Sequence, residues 1–445
     1  MIKSEVPAEY VSPYDRLSWS DREVEALLAS GVHRRELVSY FGAREYRELS
    51  SLARAARSAI RPPDAARVLI VPGIMGSQLG LLRPAPLPPD VLWLDPIDIA
   101  AGKLLGLTPT PADRVVSLGV VLYTYLRLKL YLEARGFDCA FHDYDWRQGV
   151  DVLGGALAER LQHERAKRVM LVAHSMGGLV SRAALALPGT AQVERLILLG
   201  TPNFGSFAPV QALRGTYPVV RKIARLNPEH SAEWLAENVF NAFASLYHLL
   251  PVAGHSGALD LFDSATWPQS GPQPRAQLLQ RARLLAEKLA PADERFVVIA
   301  GVNQETVTAV ERRRDDFLYT ITRGGDGTVP TASALLPGAR TYFTGTAHSE
   351  LTRDQSIAQA IAELLRSGKT HRLPMRATRA SAAEARISDR QLRRTQNVKV
   401  DWSRLEPEAR REFLQSLNEP PELKLRVRAA PAQGRAQRIL RPRPK

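Results

Sequence analysis

Cysteine is nearly absent: Cys139 is the single one in 445 residues. That excludes an intrachain disulfide and leaves no cysteine-based metal site. No run of roughly twenty apolar residues occurs, so no transmembrane helix is expected. The opening MIKSEVPAEYVSPYD lacks the apolar core of a secretory signal, and the expectation is a soluble cytoplasmic protein. No internal repeat is found. Apolar residues at 45% and charged residues at 24% give an ordinary globular balance, with enough chain to bury a large core.

Positive charge is in excess, and it is unevenly placed. The net charge is +14, yet from His371 onward 19 Lys or Arg stand against 8 Asp or Glu, which leaves the body nearly neutral. A basic tail can make peripheral contact with an anionic membrane surface or touch nucleic acid. The plainer reading is a solvated, partly disordered extension, and no nucleic-acid partner is expected. The chain therefore divides into a helical N-terminal extension over 1–65, an α/β domain over 66–367 and a basic tail over 368–445. Within the α/β domain a helical, loop-rich insertion covers about 206–292.

One stretch organises the rest: RVMLVAHSMGGLVSRAA, Arg168–Ala184. Val169–Ala173 is wholly apolar and reads as a buried parallel strand. His174-Ser175-Met176-Gly177-Gly178 turns sharply, and from Leu179 apolar and small residues recur at helical spacing until Pro188-Gly189. Strand, Ser-bearing turn and helix form a nucleophile elbow, which lifts a hydroxyl above the end of a sheet. Small residues, Ala173 and Gly177, flank Ser175 because strand and helix backbones approach closely there. Taken alone, Ser175 could equally be a helix N-cap.

Upstream, the strand Val68–Val71 feeds Pro72-Gly73-Ile74-Met75-Gly76-Ser77, the position where backbone N–H groups serve an oxyanion hole. Leu82–Pro89 reads as irregular, and Trp93-Leu94-Asp95-Pro96 as a loop that lines a pocket or packs. Another strand ends in Asp143-Tyr144-Asp145-Trp146-Arg147, whose plainest reading is an Asp145–Arg147 salt bridge with Trp146 beside it. The insertion carries Trp234, Phe240, Phe243, Tyr247, Phe262 and Trp267 and sits where a cap would cover the site; its aromatics serve greasy substrates or packing.

Downstream, Gly324-Gly325-Asp326-Gly327 holds an acid on a loop, and His348 follows the last strand and precedes a helix. Asp263, Asp315 and Asp316 are rival acids. Of the nine histidines, His174 neighbours Ser175 in sequence, but adjacent side chains diverge on a strained turn. The order Ser175, Asp326, His348 is that of α/β-hydrolases. The fold expected is thus a mostly parallel sheet flanked by helices with a helical cap. Ser175 would be the nucleophile, His348 the general base and then acid, and Asp326 the group that fixes the imidazole. The backbone N–H groups of Ile74 and Met176 would form the oxyanion hole. This chemistry requires no cofactor and no metal.

Five ordered motifs carry a resemblance: VPGIMGSQL (Val71–Leu79), YDWR (Tyr144–Arg147), AHSMGG (Ala173–Gly178), LDLFDSATW (Leu259–Trp267) and GDGTVP (Gly325–Pro330) followed by His348-Ser349-Glu350-Leu351. Over about Arg67–Arg366 the chain resembles the lecithin:cholesterol acyltransferase and lysosomal phospholipase A2 family. The resemblance implies acyl transfer from a phospholipid or related lipid ester through an acyl-enzyme, with water or an alcohol as acceptor. It implies Ser175, Asp326 and His348 as the triad and Ile74 and Met176 as the oxyanion positions. Secreted members of that family have a signal peptide and a lid-loop disulfide, and this sequence shows neither. Two other readings stay open: a soluble short-chain carboxylesterase, and a catalytically silent hydrolase-fold interaction protein.

Overall fold

The computed structural model describes residues 19–417 apart from 63–64, 113, 256–258, 378–383 and 395–398. In chain order the strands are β1 (Arg67–Val71), β2 (Ser77–Leu81), β3 (Asp90–Trp93), β4 (Val116–Val120), β5 (Asp138–Phe141), β6 (Val169–His174), β7 (Val193–Leu199), β8 (Phe296–Gly301), β9 (Gln304–Arg313), β10 (Asp316–Gly325), β11 (Arg340–Thr344) and β12 (Ala385–Ser388). Six of them form the central sheet in the order β11-β8-β7-β6-β1-β5, every pair parallel. The serine strand β6 lies inside it, with Val172 opposite Ile70 of β1 and Ile197 of β7. This is an α/β-hydrolase fold.

Apolar runs in these strands follow from burial on both faces. Side chains alternate across a strand. Leu69, Val71, Leu171, Ala173, Leu196 and Leu198 pack on one face against the helices Val150–His163 and Met176–Leu185. Val68, Ile70, Met170, Val172, Ile197 and Leu199 pack on the other against Leu122–Glu133 and Gln355–Ser367. Neither face meets water, so neither selects polar residues.

The N-terminal residues form helices over Asp21–Ser30, Arg34–Phe41 and Ala43–Ser58. Their apolar faces share a core with Leu126 and Leu130. Lys129, on the same helix, reaches Asp21 at 2.8 Å and Glu25, with Glu133 at 3.8 Å. Burial alone would lower the Lys129 ammonium; the carboxylates of Glu25, Glu133 and Asp21 outweigh it and hold the group above its usual value.

Leu82–Pro89 is irregular and connects β2 to β3, which form a small antiparallel sheet with β4; Trp93, read as part of a loop, ends β3 instead. A further expectation needs correction: the basic tail from 368 onward, read with a single helical stretch around Glu406–Leu417, forms that helix over Pro407–Ser416 but is also docked on the main body over 385–394 and 399–417. β12 pairs antiparallel with β10, Asp389 is fully buried, and Trp402 and Leu417 join the main core. Charged neighbours concealed these buried positions. Residues 418–445 lie outside the described residues. Among the described residues no helix is long and apolar enough to cross a membrane.

Candidate active site

Ser175 terminates β6 with φ 54° and ψ −125°, a left-handed conformation that costs a non-glycine residue of order 1–3 kcal/mol. The turn is held from both sides. Its N–H donates to the Leu199 carbonyl at 2.8 Å, and its carbonyl accepts from Gly178 N–H at 3.0 Å. The two glycines that follow are required by close approach: a Cβ on Gly177 would lie 2.4 Å from the Pro72 oxygen, and one on Gly178 2.0 Å from Thr201 Oγ1. Ser175 precedes the helix Met176–Leu185, yet its hydroxyl makes no capping bond. The Oγ lies instead 3.0 Å from His348 Nε2.

Asp326 follows β10 and is 1% exposed. Its Oδ2 lies 2.8 Å from His348 Nδ1, while Oδ1 accepts from Val329 N–H at 2.7 Å and Thr328 N–H at 3.0 Å. His348 N–H donates to the Asp326 carbonyl at 2.9 Å. A carboxylate on Nδ1 keeps the imidazole proton there and leaves Nε2 to accept from the serine hydroxyl. The carboxylate fits because Gly200 and Gly301 have no side chain; a Cβ on Gly301 would lie 2.2 Å from Asp326 Cβ. Three residues 22 to 173 positions apart along the chain thus converge.

The rival acids are engaged elsewhere. Asp263 accepts from Ala265 N–H at 2.9 Å, Asp315 from Gln269 N–H at 2.6 Å, and Asp316 opens the β9–β10 hairpin opposite Arg313. Asp145 and Arg147 make the bidentate salt bridge expected, at 2.7 and 2.8 Å.

His174, whose side chain the sequence places away from Ser175, packs beside His348 in the site. Its ring packs 4.9 Å from the His348 ring, and its Nε2 lies 3.1 Å from the His348 carbonyl. Nδ1 lies 3.1 Å from Tyr125 Oη, which accepts from Gly73 N–H at 2.9 Å. A tyrosine hydroxyl has one proton; with Gly73 donating to it, that proton goes to His174 Nδ1, and His174 donates from Nε2. Burial, with the His348 ring beside it, pushes the His174 pKa down to about 3, so this bridging imidazole stays neutral. Spacing gave no signal for a contact between residues 49 apart.

The loop Pro72–Ser77 is fastened by aromatics. Trp93 Nε1–H donates to the Met75 carbonyl at 3.1 Å, Trp146 Nε1–H to the Ser77 carbonyl at 3.0 Å, and Tyr144 O–H to the Pro72 carbonyl. Met75 adopts φ 60°. Ile74 is half-buried and lines the cleft above Ser175. Met176 is fully buried at the first helical position, where a backbone N–H has no intrahelical partner.

The cap supplies the apolar walls. Helices Ala208–Leu213, Pro218–Leu226 and Ala244–His248 bring Ala212, Val219, Val220 and Leu246 to the cleft, together with Phe240, Phe243 and Leu249. Its aromatics divide between two roles. Phe240 and Phe243 face the cleft, whereas Trp267 and Tyr247 are buried and bonded to the carbonyls of Leu261 and Asn241, each at 2.9 Å. Among the described residues no group of three or more His, Cys, Asp or Glu is placed to hold a metal ion.

The family described as PGAP1-like alpha/beta domain matches residues 147–248, the part that includes the Ser175 turn. No match is found among curated proteins. Among solved structures, the Bacillus licheniformis lipase BlEst2 in its mature form is 17% identical, with 69% of this chain and 96% of that chain covered and a TM-score of 0.36. In the propeptide form the chain spans 51% of that protein, again at a TM-score of 0.36. The Tle4–Tli4 complex contains a chain 15% identical, with 68% and 99% covered and a TM-score of 0.42. A metagenomic carboxyl esterase, MGS0156, is 14% identical, with 65% and 66% covered and a TM-score of 0.32.

Proposed function

We propose that this protein is a serine acylhydrolase or O-acyltransferase acting on phospholipids or related lipid esters through an acyl-enzyme. One observation carries the proposal: Ser175 Oγ lies 3.0 Å from His348 Nε2, and Asp326 holds the opposite ring nitrogen at 2.8 Å, on the floor of an apolar cleft.

In the proposed reaction the Ser175 proton passes to His348 Nε2 as Oγ bonds to the ester carbonyl carbon. The carbonyl π electrons move onto oxygen. The backbone N–H groups of Ile74 and Met176 meet that oxyanion, where loss of one donor typically costs about 3–4 kcal/mol. Collapse breaks the ester C–O bond, and the leaving alcohol takes the proton from His348. Water or an acceptor alcohol then gives a proton to His348, attacks the acyl-serine, and releases Ser175 with its proton restored. Asp326 stays ionised throughout and stabilises the imidazolium.

The apolar lining favours long acyl chains over short ones, since buried methylenes gain free energy. Turnover of p-nitrophenyl esters of graded length, with and without micelles, tests the lipid reading. Activity rising with chain length and in micelles supports it. Activity confined to dispersed short esters selects the carboxylesterase reading instead. Ser175→Ala and His348→Ala should abolish turnover with the fold retained. Mass spectrometry of products from a mixed lipid extract would identify head group and acceptor.

A further inference from the structure

We infer that the C-terminal arm, residues 385–394 and 399–417, completes the substrate cleft, and that Leu417 sets the length of acyl chain the cleft accepts. The inference rests on the hydrolase reading above. Leu417 is 1% exposed and lines the same cleft as Ser175 and His348. It comes from far outside the stretch that bears the site residues, so its arrival there has to be built.

The arm is fixed at successive points. β12 extends the β9–β10 hairpin, with Ile387 opposite Tyr319. Asp389 follows at once and pairs with Arg214 at 2.9 Å, both side chains fully buried. Tyr319 O–H at 2.7 Å and Thr216 O–H at 3.2 Å also donate to that carboxylate. One residue of the arm thus ties the hairpin to the cap. Further on, Val400 N–H donates to the Arg225 carbonyl at 2.8 Å. The Lys399 ammonium donates to the carbonyls of Ala224, Asn227 and His230 at 2.9, 2.6 and 2.9 Å, where a helix C-terminus favours a cation. The Lys222 ammonium reaches the Ser416 carbonyl. Lys222 and Arg225 belong to the helix Pro218–Leu226, whose Val219 and Val220 line the cleft. The arm therefore runs along the helix that walls the cleft and ends by adding its own leucine to that wall.

Leu417 has no polar atom to offer a substrate; it can only occupy space and exclude water. Each methylene that fits an apolar cleft raises kcat/KM by about fourfold, and one that does not fit gains nothing. A leucine at the wall is therefore a length gauge. The test measures kcat/KM for p-nitrophenyl esters from acetate to palmitate in the full-length protein, Leu417→Ala and Leu417→Trp, with circular dichroism confirming each fold. The length at which kcat/KM stops rising should move to longer chains in Leu417→Ala and to shorter ones in Leu417→Trp. The long-to-short ratio should change by about fivefold or more in each direction. Ratios within twofold of wild type in both variants would overturn the inference. Should Leu417→Trp fail to fold, the Leu417→Ala ratio decides alone. A wild-type protein that turns over no ester and takes up no fluorophosphonate would instead overturn the hydrolase reading, a result distinct from unchanged ratios.

Discussion

His174 holds the backbone of His348: its Nε2–H donates to the His348 carbonyl at 3.1 Å. The residue before Ser175 thus braces the histidine that meets its hydroxyl. Through Tyr125 the same imidazole is tied to Gly73 N–H, so the loop bearing Ile74 and the loop bearing His348 share one support.

Tyr125→Phe should expose the value of that support. It leaves Gly73 N–H and His174 Nδ1 buried without a partner, at a cost of about 1–3 kcal/mol in stability. Loosened placement of the Pro72–Ser77 loop, proposed to carry an oxyanion donor, should lower kcat about tenfold or more while KM changes little. Steady-state kinetics on p-nitrophenyl butyrate with a thermal melt checks both; a fall in Tm with kcat intact would make Tyr125 merely structural.

Asp326→Asn should lower kcat by about 10⁴, because an amide in place of the carboxylate favours the wrong imidazole tautomer. Stopped assays over long incubations measure this, and near wild-type rates would move the acid to another residue.

Arg214→Met should destabilise the fold by about 3–5 kcal/mol, since it strands the buried Asp389 carboxylate. The double variant Arg214→Met/Asp389→Leu should recover much of that loss. Urea denaturation of the three proteins separates a buried pair from two independent sites.

Stability should fall on acidification between about pH 6.5 and pH 5. Burial holds His142 and His174 down at about 3, with Arg160 and the His348 ring adding to it respectively, and burial holds His248 at about 4. A histidine depressed in the folded state stabilises it fully above the unfolded pKa, and that contribution is lost as pH falls toward the folded value, at about 1.4 kcal/mol per unit for each. Glu133 works oppositely: burial raises it to about 7 against the pull of Lys129, so its ionisation penalty disappears as pH falls. Three histidines against Glu133 and Glu25, whose carboxyl burial also raises, give a net loss, and Glu133→Gln should steepen it. A denaturation midpoint unchanged between pH 6.5 and 5 would contradict this.

The basic residues beyond Leu417 are proposed to contact anionic lipid. Truncation after Leu417, which keeps the folded arm, should reduce co-sedimentation with phosphatidylserine vesicles at low salt; unchanged sedimentation would remove that role.

Much of this architecture is legible in the sequence where local pattern dictates it. Val169–Ala173 is apolar because both sheet faces are buried, and Gly177 and Gly178 are glycines because Pro72 and Thr201 lie against them. Asp326 and His348 are legible because each sits alone on a loop after a strand. The bracing by His174 and Tyr125 is not, because it depends on a contact between side chains distant in sequence. The short strands β2 and β3 escape because Gly80 interrupts the one and the other is only four residues long. The helix near Glu406–Leu417 is legible, but the docking of the arm is not, because Arg, Asp and Lys surround Leu392 and Trp402, and burial of Asp389 depends on an arginine 175 residues away.

The central claim is that the Ser175 hydroxyl is the nucleophile, poised by His348 and Asp326. Its most direct test is the intact mass and peptide map of the protein after reaction with a fluorophosphonate. A single adduct on the peptide containing Ser175, absent in Ser175→Ala and strongly slowed in His348→Ala, is the predicted result. No adduct on the folded wild-type protein, or an adduct that persists in Ser175→Ala, would contradict it.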